Sequence, residues 1–182
     1  MIRKHRVSTL WVMAAAGLLA LLTAACSHAP DPAPTYGFGE KAITVNITAG
    51  KDLNGYDNHS HTVLLVIYQM TDINAYNKLV QNEDGLRTLL EVTSPDPTLV
   101  ASQKVFIEPG KSQTLVLDRA ENASWIGMVA GFYRLIPGKV SKSFEIPYKV
   151  ETRGIIFRKQ VAEIQPLTVD LILGPDNIQE KN

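Results

Sequence analysis

Cysteine is almost absent from this chain: Cys26 is the only one among 182 residues. An intramolecular disulfide is therefore excluded, and the fold has to be stabilised by its buried core. A surplus of one charge is also missing, since 18 basic residues balance 18 acidic ones. Without a basic surplus, the chain has no electrostatic basis for binding nucleic acid.

Histidine is scarce, and this restricts the available chemistry. His59 and His61 lie two residues apart in a polar segment, where they could ligate a metal with Asp57 or be solvated loop histidines, and we favour the second interpretation. The sequence also lacks a Gly-x-Ser-x-Gly elbow, a phosphate-binding loop and a dinucleotide fingerprint. We therefore predict a non-enzymatic protein with no cofactor, no metal and no catalytic residue.

Long apolar runs are confined to the N-terminus, where residues 10–25 are apolar apart from Thr23. Arg3, Lys4 and Arg6 precede this stretch, and such a basic start, apolar centre and small-residue end are typical of a secretory signal peptide. A spanning helix would need about 20 apolar residues. We predict that residues 1–25 are a removable lipoprotein signal peptide, whose loss lowers the basic count from 18 to 15.

Cys26 follows two alanines at the end of this segment, as expected for the lipidation site of a bacterial lipoprotein. Thr23 departs from the usual pattern, in which Leu stands three residues before the cysteine, and cleavage after Ala29 would instead discard Cys26. We favour covalent lipid on Cys26, because Ala24 and Ala25 fit the pattern. Two or three acyl chains on one cysteine would anchor the protein firmly, whereas a single chain binds a membrane only marginally. Ser27, in place of the Asp that commonly retains enterobacterial lipoproteins in the inner membrane, predicts the outer membrane.

The mature chain divides into a tether and one domain. Residues 26–40 are rich in proline and glycine, which favours an extended tether. We predict a β-sandwich domain over residues 41–175, large enough to bury a core, and a C-terminal tail over residues 176–182.

Hydrophobic periodicity predicts a mainly β domain with a small helical insertion. Ile43, Val45 and Ile47 alternate with polar residues, as in a half-buried strand, whereas the continuous apolar run 63–68 suits a central strand. The period becomes helical at about residues 72–92, with Asp72 as a cap. Further strands are predicted at residues 103–107, 114–117, 125–132, 144–150, 154–160 and 167–173.

The loop over residues 49–61 is the candidate functional segment, because hairpin loops usually take only 2–5 residues. Leu53 and Tyr56 stand among polar residues there, as interface residues do. They could equally fold back over the end of the sandwich. The candidate partner-binding residues are Leu53, Asn54, Gly55, Tyr56, Asp57, Asn58 and His59.

The order of several motifs carries a family resemblance. After Cys26 and the tether come Asp52-Leu53-Asn54, Ile67-Tyr68-Gln69-Met70, Asp72-Ile73-Asn74-Ala75-Tyr76, Glu108-Pro109-Gly110-Lys111 and the stretch 125–133. This order resembles the outer-membrane lipoprotein of the type VI secretion system, the TssJ or SciN-like family. The resemblance runs from Cys26 to about Tyr133, and the Trp-containing segment that often follows in the family is absent here.

The resemblance implies a transthyretin-like β-sandwich with a small helical insertion, lipid-anchored in the outer membrane and facing the periplasm. In the family, the loop between the first two strands binds the periplasmic C-terminal domain of the inner-membrane protein TssM, and residues 49–61 correspond to it. The expected partners are therefore TssM and outer-membrane lipid, with no nucleic acid and no small-molecule substrate. The alternatives are a small-ligand carrier on a transthyretin-like sandwich, which would rest on fold analogy alone, and a hydrolase built on His59 and His61.

Overall fold

The computed structural model describes residues 31–154 and 158–181. The predicted signal peptide and Cys26 lie outside the described residues. All described strands and helices belong to a compact unit that starts at Ala33. None of the helices in the described ranges is long and apolar enough to cross a membrane.

The elements of this unit follow one another as strands, two short helices and further strands. In chain order they are β1 (Gly39–Ala49), β2 (Val63–Met70), α1 (Asn74–Leu79), α2 (Glu83–Glu91), β3 (Leu99–Ile107), β4 (Ser112–Arg119), β5 (Trp125–Ala130), β6 (Ser141–Glu145), β7 (Tyr148–Arg153), β8 (Lys159–Ile164), β9 (Leu167–Leu173) and β10 (Ile178–Glu180). The prediction of a mainly β fold with a helical insertion is confirmed.

Two four-stranded sheets form the sandwich, in the orders β10-β9-β1-β4 and β3-β2-β5-β6, and β7 pairs with β8 in a separate hairpin. β1 is parallel to β9 and antiparallel to β4, so that Val45 lies opposite both Leu115 and Val169. The alternating residues Ile43, Val45 and Ile47 are all buried in the core. The alternation in the sequence therefore identified the inward face of β1 correctly.

β2 is buried along nearly its whole length because both of its faces are covered. On the inner face, the Gln69 side chain donates to the carbonyl of Asp118 (2.8 Å) and accepts from the N–H of Ala120 (2.7 Å), which joins the two sheets. On the outer face, the Tyr68 hydroxyl lies 2.5 Å from the carbonyl of Leu89, at the end of α2. Burial raises the pKa of Tyr68 to about 12, so the hydroxyl remains a proton donor at neutral pH.

α1 is fixed to the outer face of β5 by Tyr76. Its hydroxyl lies 2.7 Å from the carbonyl of Met128 and 3.1 Å from that of Lys142, on the neighbouring strand β6. The ring lies against Gly127, where an added Cβ would come within 2.6 Å of Tyr76 Cε2. A glycine is therefore required at this position for the helix to approach the sheet so closely.

Two predicted strands, at residues 144–150 and 154–160, are wrong. β6 and β7 are separate strands because Pro147, which lacks a backbone N–H, stands between them. Gly154 has φ +98, a turn conformation, and β8 begins only at Lys159.

The predicted C-terminal tail over residues 176–182 is also wrong in part, because residues 178–180 form β10 and pair with β9. Ile178 is buried, and its N–H donates to the carbonyl of Lys139 (2.8 Å). The domain therefore extends past residue 175 to at least Glu180.

The tether ends earlier than the predicted residue 40. β1 already begins at Gly39, and the carbonyl of Gly37 accepts two hydrogen bonds from the buried Arg119 guanidinium, from Nε (3.0 Å) and Nη2 (2.9 Å). The carbonyl of Tyr36 accepts a hydrogen bond of 2.6 Å from the backbone N–H of Asn122, in the connection between β4 and β5. Because these carbonyls are bonded to the sandwich, the chain is fixed to the domain from Tyr36 onward.

Candidate functional site

At one end of the sandwich, which we call the loop end, the predicted functional loop meets the segments that follow β5 and β9. β1, β5 and β9 all run toward this end, since β1 and β9 are parallel and β5 is antiparallel to β2. The segments that leave these strands are residues 50–62, 131–140 and 174–177. The predicted functional loop is the first of them.

The tip of the first loop is a tight turn over residues 56–59. Tyr56 and His59 exchange two backbone hydrogen bonds of 2.9 and 3.0 Å. Asp57 and Asn58 between them have φ +50 and +58, as in a type I′ turn, and Asp and Asn tolerate this left-handed conformation better than other side chains. The turn leaves Tyr56 and His59 on the surface of the loop end.

Asn54 connects the three loops. Its side-chain oxygen accepts a hydrogen bond from the backbone N–H of Tyr133 (2.7 Å). Its backbone N–H donates to the carbonyl of Gly174 (3.4 Å). The N–H of the next residue, Gly55, donates to the carbonyl of Pro175 (3.1 Å). Since Asn54 is itself buried, these bonds fix the relative positions of the loops.

The seven predicted partner-binding residues separate into a buried part and an exposed part. Leu53 has 0% of its surface exposed and packs in the core, so it cannot contact a partner in this conformation. Asn54 is 8% exposed. Leu53 and Asn54 therefore do not lie on the exposed surface of the loop, because their burial closes the end of the sandwich. Gly55, Tyr56, Asp57, Asn58 and His59 are exposed.

Tyr56 stacks on Tyr133, the first exposed residue of the second loop. Their ring centroids lie 3.7 Å apart with an interplanar angle of 23°, and the residues are 47% and 62% exposed. Side-chain hydrogen bonding with Tyr56 raises the pKa of Tyr133 above its usual value. The Tyr133 phenol is therefore neutral at physiological pH, and together the two rings present an aromatic surface with polar tips.

A cleft of about 300 Å³ lies beside this pair of rings. It is lined by Asn54, Gly55, Tyr56 and Asp57 of the first loop, Phe132, Tyr133 and Arg134 of the second, and Pro175 and Asp176 of the third. The Asp176 carboxylate lies 3.1 Å from Lys139 Nζ, which compensates its charge. The cleft therefore combines aromatic walls with a polar rim.

The two loop histidines interact with the turn itself. His59 Nδ1 lies 2.6 Å from the carbonyl of Asp57, and His61 Nε2 lies 3.4 Å from the carbonyl of Tyr56. Both residues are exposed. Within residues 31–154 and 158–181, no group of three His, Cys, Asp or Glu side chains could hold a metal ion. The structure thus gives these rings a local role in the loop.

Sequence reasoning missed Tyr133, Arg134, Pro175 and Asp176. The only signal was an aromatic pair, Phe132-Tyr133, at the end of a buried strand. The order of the strands in the sheets was needed to place these residues beside the first loop, and periodicity does not give that order.

The fold and the loop end define a class: a β-sandwich with a helical insertion that presents aromatic side chains on a set of loops at one end. The family model T6SS-SciN, described as type VI secretion lipoprotein, VasD, EvfM, TssJ, matches residues 41–170. The chain therefore belongs to the family of type VI secretion lipoproteins, and the resemblance drawn from the sequence is confirmed.

Solved structures agree with this fold. The Serratia marcescens Lip structure, titled a membrane bound component of the type VI secretion system, is 13% identical, with a TM-score of 0.59 over 82% of this chain and 98% of that one. The lipoprotein TssJ1 from Pseudomonas aeruginosa is 15% identical, with a TM-score of 0.55 over 81% and 98%. A chain in a structure titled T6SS protein TssM C-terminal domain (869-1107) from EAEC is 14% identical, with a TM-score of 0.58 over 77% and 97%. A search of curated protein sequences finds no match.

Proposed function

We propose that the chain is a non-enzymatic lipoprotein of the type VI secretion membrane complex, anchored in the outer membrane by lipid on Cys26. In this proposal it docks the periplasmic C-terminal domain of the inner-membrane protein TssM through the exposed tip of the β1–β2 loop, residues 55–59. The observation that carries the proposal is the exposure of Tyr56 at the loop end, where its ring is held in place by stacking on Tyr133.

The placement of the two ends of β1 supports this division of roles. β1 is 11 residues long, so about 33 Å separate the tether from the loop at roughly 3.3 Å per residue. The tether is bonded to the domain at Tyr36 and Gly37, at the end of the sandwich opposite to the loop. A lipid at Cys26 would therefore anchor one end while the other remains accessible to a partner.

The tether also sets the reach of the domain. Residues 26–35 precede the fixed part of the chain and contain Pro30, Pro32 and Pro34, which favour an extended conformation of about 3.1 Å per residue. This segment would span about 30 Å. Membrane anchoring would then raise the local concentration of the loop near a partner that crosses the periplasm, which assists even a modest contact.

One further observation favours TssM as the partner, and another favours a protein over a small molecule. One structure of the same fold carries TssM in its title, and another is titled Type VI membrane complex, with 14% identity and a TM-score of 0.58. The cleft at the loop end, at about 300 Å³, is at the small end of the range of small-molecule sites. A protein partner therefore suits this surface better than a carried metabolite, and the proposal includes no cofactor and no metal.

The test is binding of the mature lipoprotein, solubilised in detergent, to the purified periplasmic C-terminal domain of TssM. Tyr56→Ala should weaken the complex by about 10-fold or more, the effect of removing a central aromatic residue from an interface. The matched control is Tyr148→Ala on β7, which removes an exposed tyrosine (42%) away from the loop end and should leave binding unchanged. Equal affinities of the two variants would contradict the loop assignment.

A further inference from the structure

We propose that Tyr133 is a second partner-binding residue and that the Tyr56–Tyr133 pair acts as one preformed aromatic surface. The adjoining cleft would receive an apolar or aromatic side chain of the same partner domain. This inference rests on the proposed function, because it extends the same docking surface from the first loop to the second.

The exposure of the two rings is the first argument. A single exposed tyrosine is ordinary on a protein surface, but here two stand in contact at one end, with a centroid distance of 3.7 Å. Tyr133 is the more exposed of the two, at 62%. Tyrosine presents a large rigid contact area with few rotatable bonds and is enriched among the residues that dominate binding energy. Because the two rings are in contact, a partner that covers Tyr56 would also contact Tyr133.

The second argument is the way in which the stack is held. The N–H of Tyr133 donates to the side-chain oxygen of Asn54 at 2.7 Å, and Asn54 adopts a left-handed backbone conformation with φ +49. Asn54 is thus a positioning residue, which fixes the start of the second loop against the first. Because the rings are ordered before binding, the entropy cost of ordering them on complex formation is reduced.

The chemistry of the cleft defines what it can accept. Its volume of about 300 Å³ lies at the small end of the range of ligand sites and can receive one or two side chains. Tyr56, Phe132, Tyr133 and Pro175 supply apolar surface, while Asp57 and Arg134 bring opposite charges to the rim. An apolar centre with a polar rim is the usual anatomy of a protein interface. The partner segment should therefore carry an apolar or aromatic residue flanked by polar ones.

The test compares Tyr133→Ala, Tyr133→Phe and Tyr56→Ala in the full mature lipoprotein, with binding to the TssM periplasmic domain measured by calorimetry. We expect Tyr133→Ala to weaken binding by about 10-fold and Tyr133→Phe, which keeps the ring, by less than about 3-fold. In the double variant Tyr56→Ala/Tyr133→Ala, the fold-loss of affinity should be smaller than the product of the fold-losses in the two single variants, since each ring supports the other. Tyr148→Ala is the control on a different surface.

The outcomes separate this inference from the function on which it rests. If Tyr56→Ala weakens binding and Tyr133→Ala stays within about twofold of the wild type, the second loop is not part of the surface, while the docking proposal survives. If neither variant weakens binding, both proposals are wrong. A second measurement needs no substitution: hydroxyl-radical footprinting of the wild-type complex should show protection of Tyr133 together with Tyr56. Protection of Tyr56 alone would overturn the inference.

Discussion

Gly127→Ala tests how the helical insertion is attached to the sandwich. An added Cβ at this position would lie 2.6, 2.8 and 2.9 Å from three ring carbons of Tyr76, all closer than real Cβ contacts allow. The ring cannot yield easily, because Tyr76 is 1% exposed and its hydroxyl lies within hydrogen-bond distance of the carbonyls of Met128 and Lys142. We therefore expect α1 to move away from β5.

The magnitude follows from two contributions. Overpacking a tight core costs about 1–3 kcal/mol, and loss of the Tyr76 hydroxyl contact adds about 1 kcal/mol. The sum lowers the free energy of unfolding by about 2–4 kcal/mol, which for a domain of this size corresponds to a melting temperature lower by roughly 6–12 °C.

The assay is thermal unfolding followed by circular dichroism, with Gly131→Ala as the control. The Cβ added at Gly131 would lie 3.4 Å from Leu90 Cδ2, an ordinary contact, so this variant should melt near the wild type. The double variant Gly127→Ala/Tyr76→Leu should lose less stability than the sum of the losses in its two single variants, because the smaller leucine side chain relieves the clash. A Gly127→Ala melting temperature within about 1 °C of the wild type would refute the reasoning.

Three further predictions concern other parts of the molecule. Ile178→Ala should lower the free energy of unfolding by about 2 kcal/mol or more in chemical denaturation, because it deletes a buried side chain of β10; an unchanged midpoint would mean that β10 does not contribute to the fold. Asn54→Ala should increase amide exchange at Tyr133, whose N–H loses its acceptor, and unchanged protection there would contradict the positioning role. Intact-mass analysis of the mature protein should find an acylated Cys26 at its N-terminus, whereas a chain that starts at Pro30 would remove the proposed anchor.

Several elements of the fold could be predicted because their pattern is local. The alternation of Ile43, Val45 and Ile47 identified β1, and the continuous apolar run of residues 63–68 identified β2 as a central strand. β10 was not predicted, because a strand of three residues is too short to show a hydrophobic period. The boundary between β6 and β7 was missed although Pro147 marks it, since the flanking residues favour strands on both sides.

The candidate site was predictable only in outline. The length of the segment over residues 49–61 singled it out, yet the sequence could not decide whether Leu53 and Tyr56 were buried or exposed. The structure separates them, with exposures of 0% and 47%, because Leu53 closes the core while the turn after Tyr56 carries that ring outward. Tyr133 could not be assigned from sequence at all, since it depends on β5 ending beside β1 and β9.

The central claim is that the loop end of this lipoprotein contacts TssM, and site-specific photo-crosslinking tests it most directly. A photo-crosslinking amino acid would replace Tyr56 in one variant and Tyr148 in another, each expressed as the full chain in cells that assemble the secretion complex. The account predicts a covalent adduct with TssM from position 56 and none from position 148, which lies on the separate β7–β8 hairpin. An adduct from position 148 without one from position 56 would contradict it.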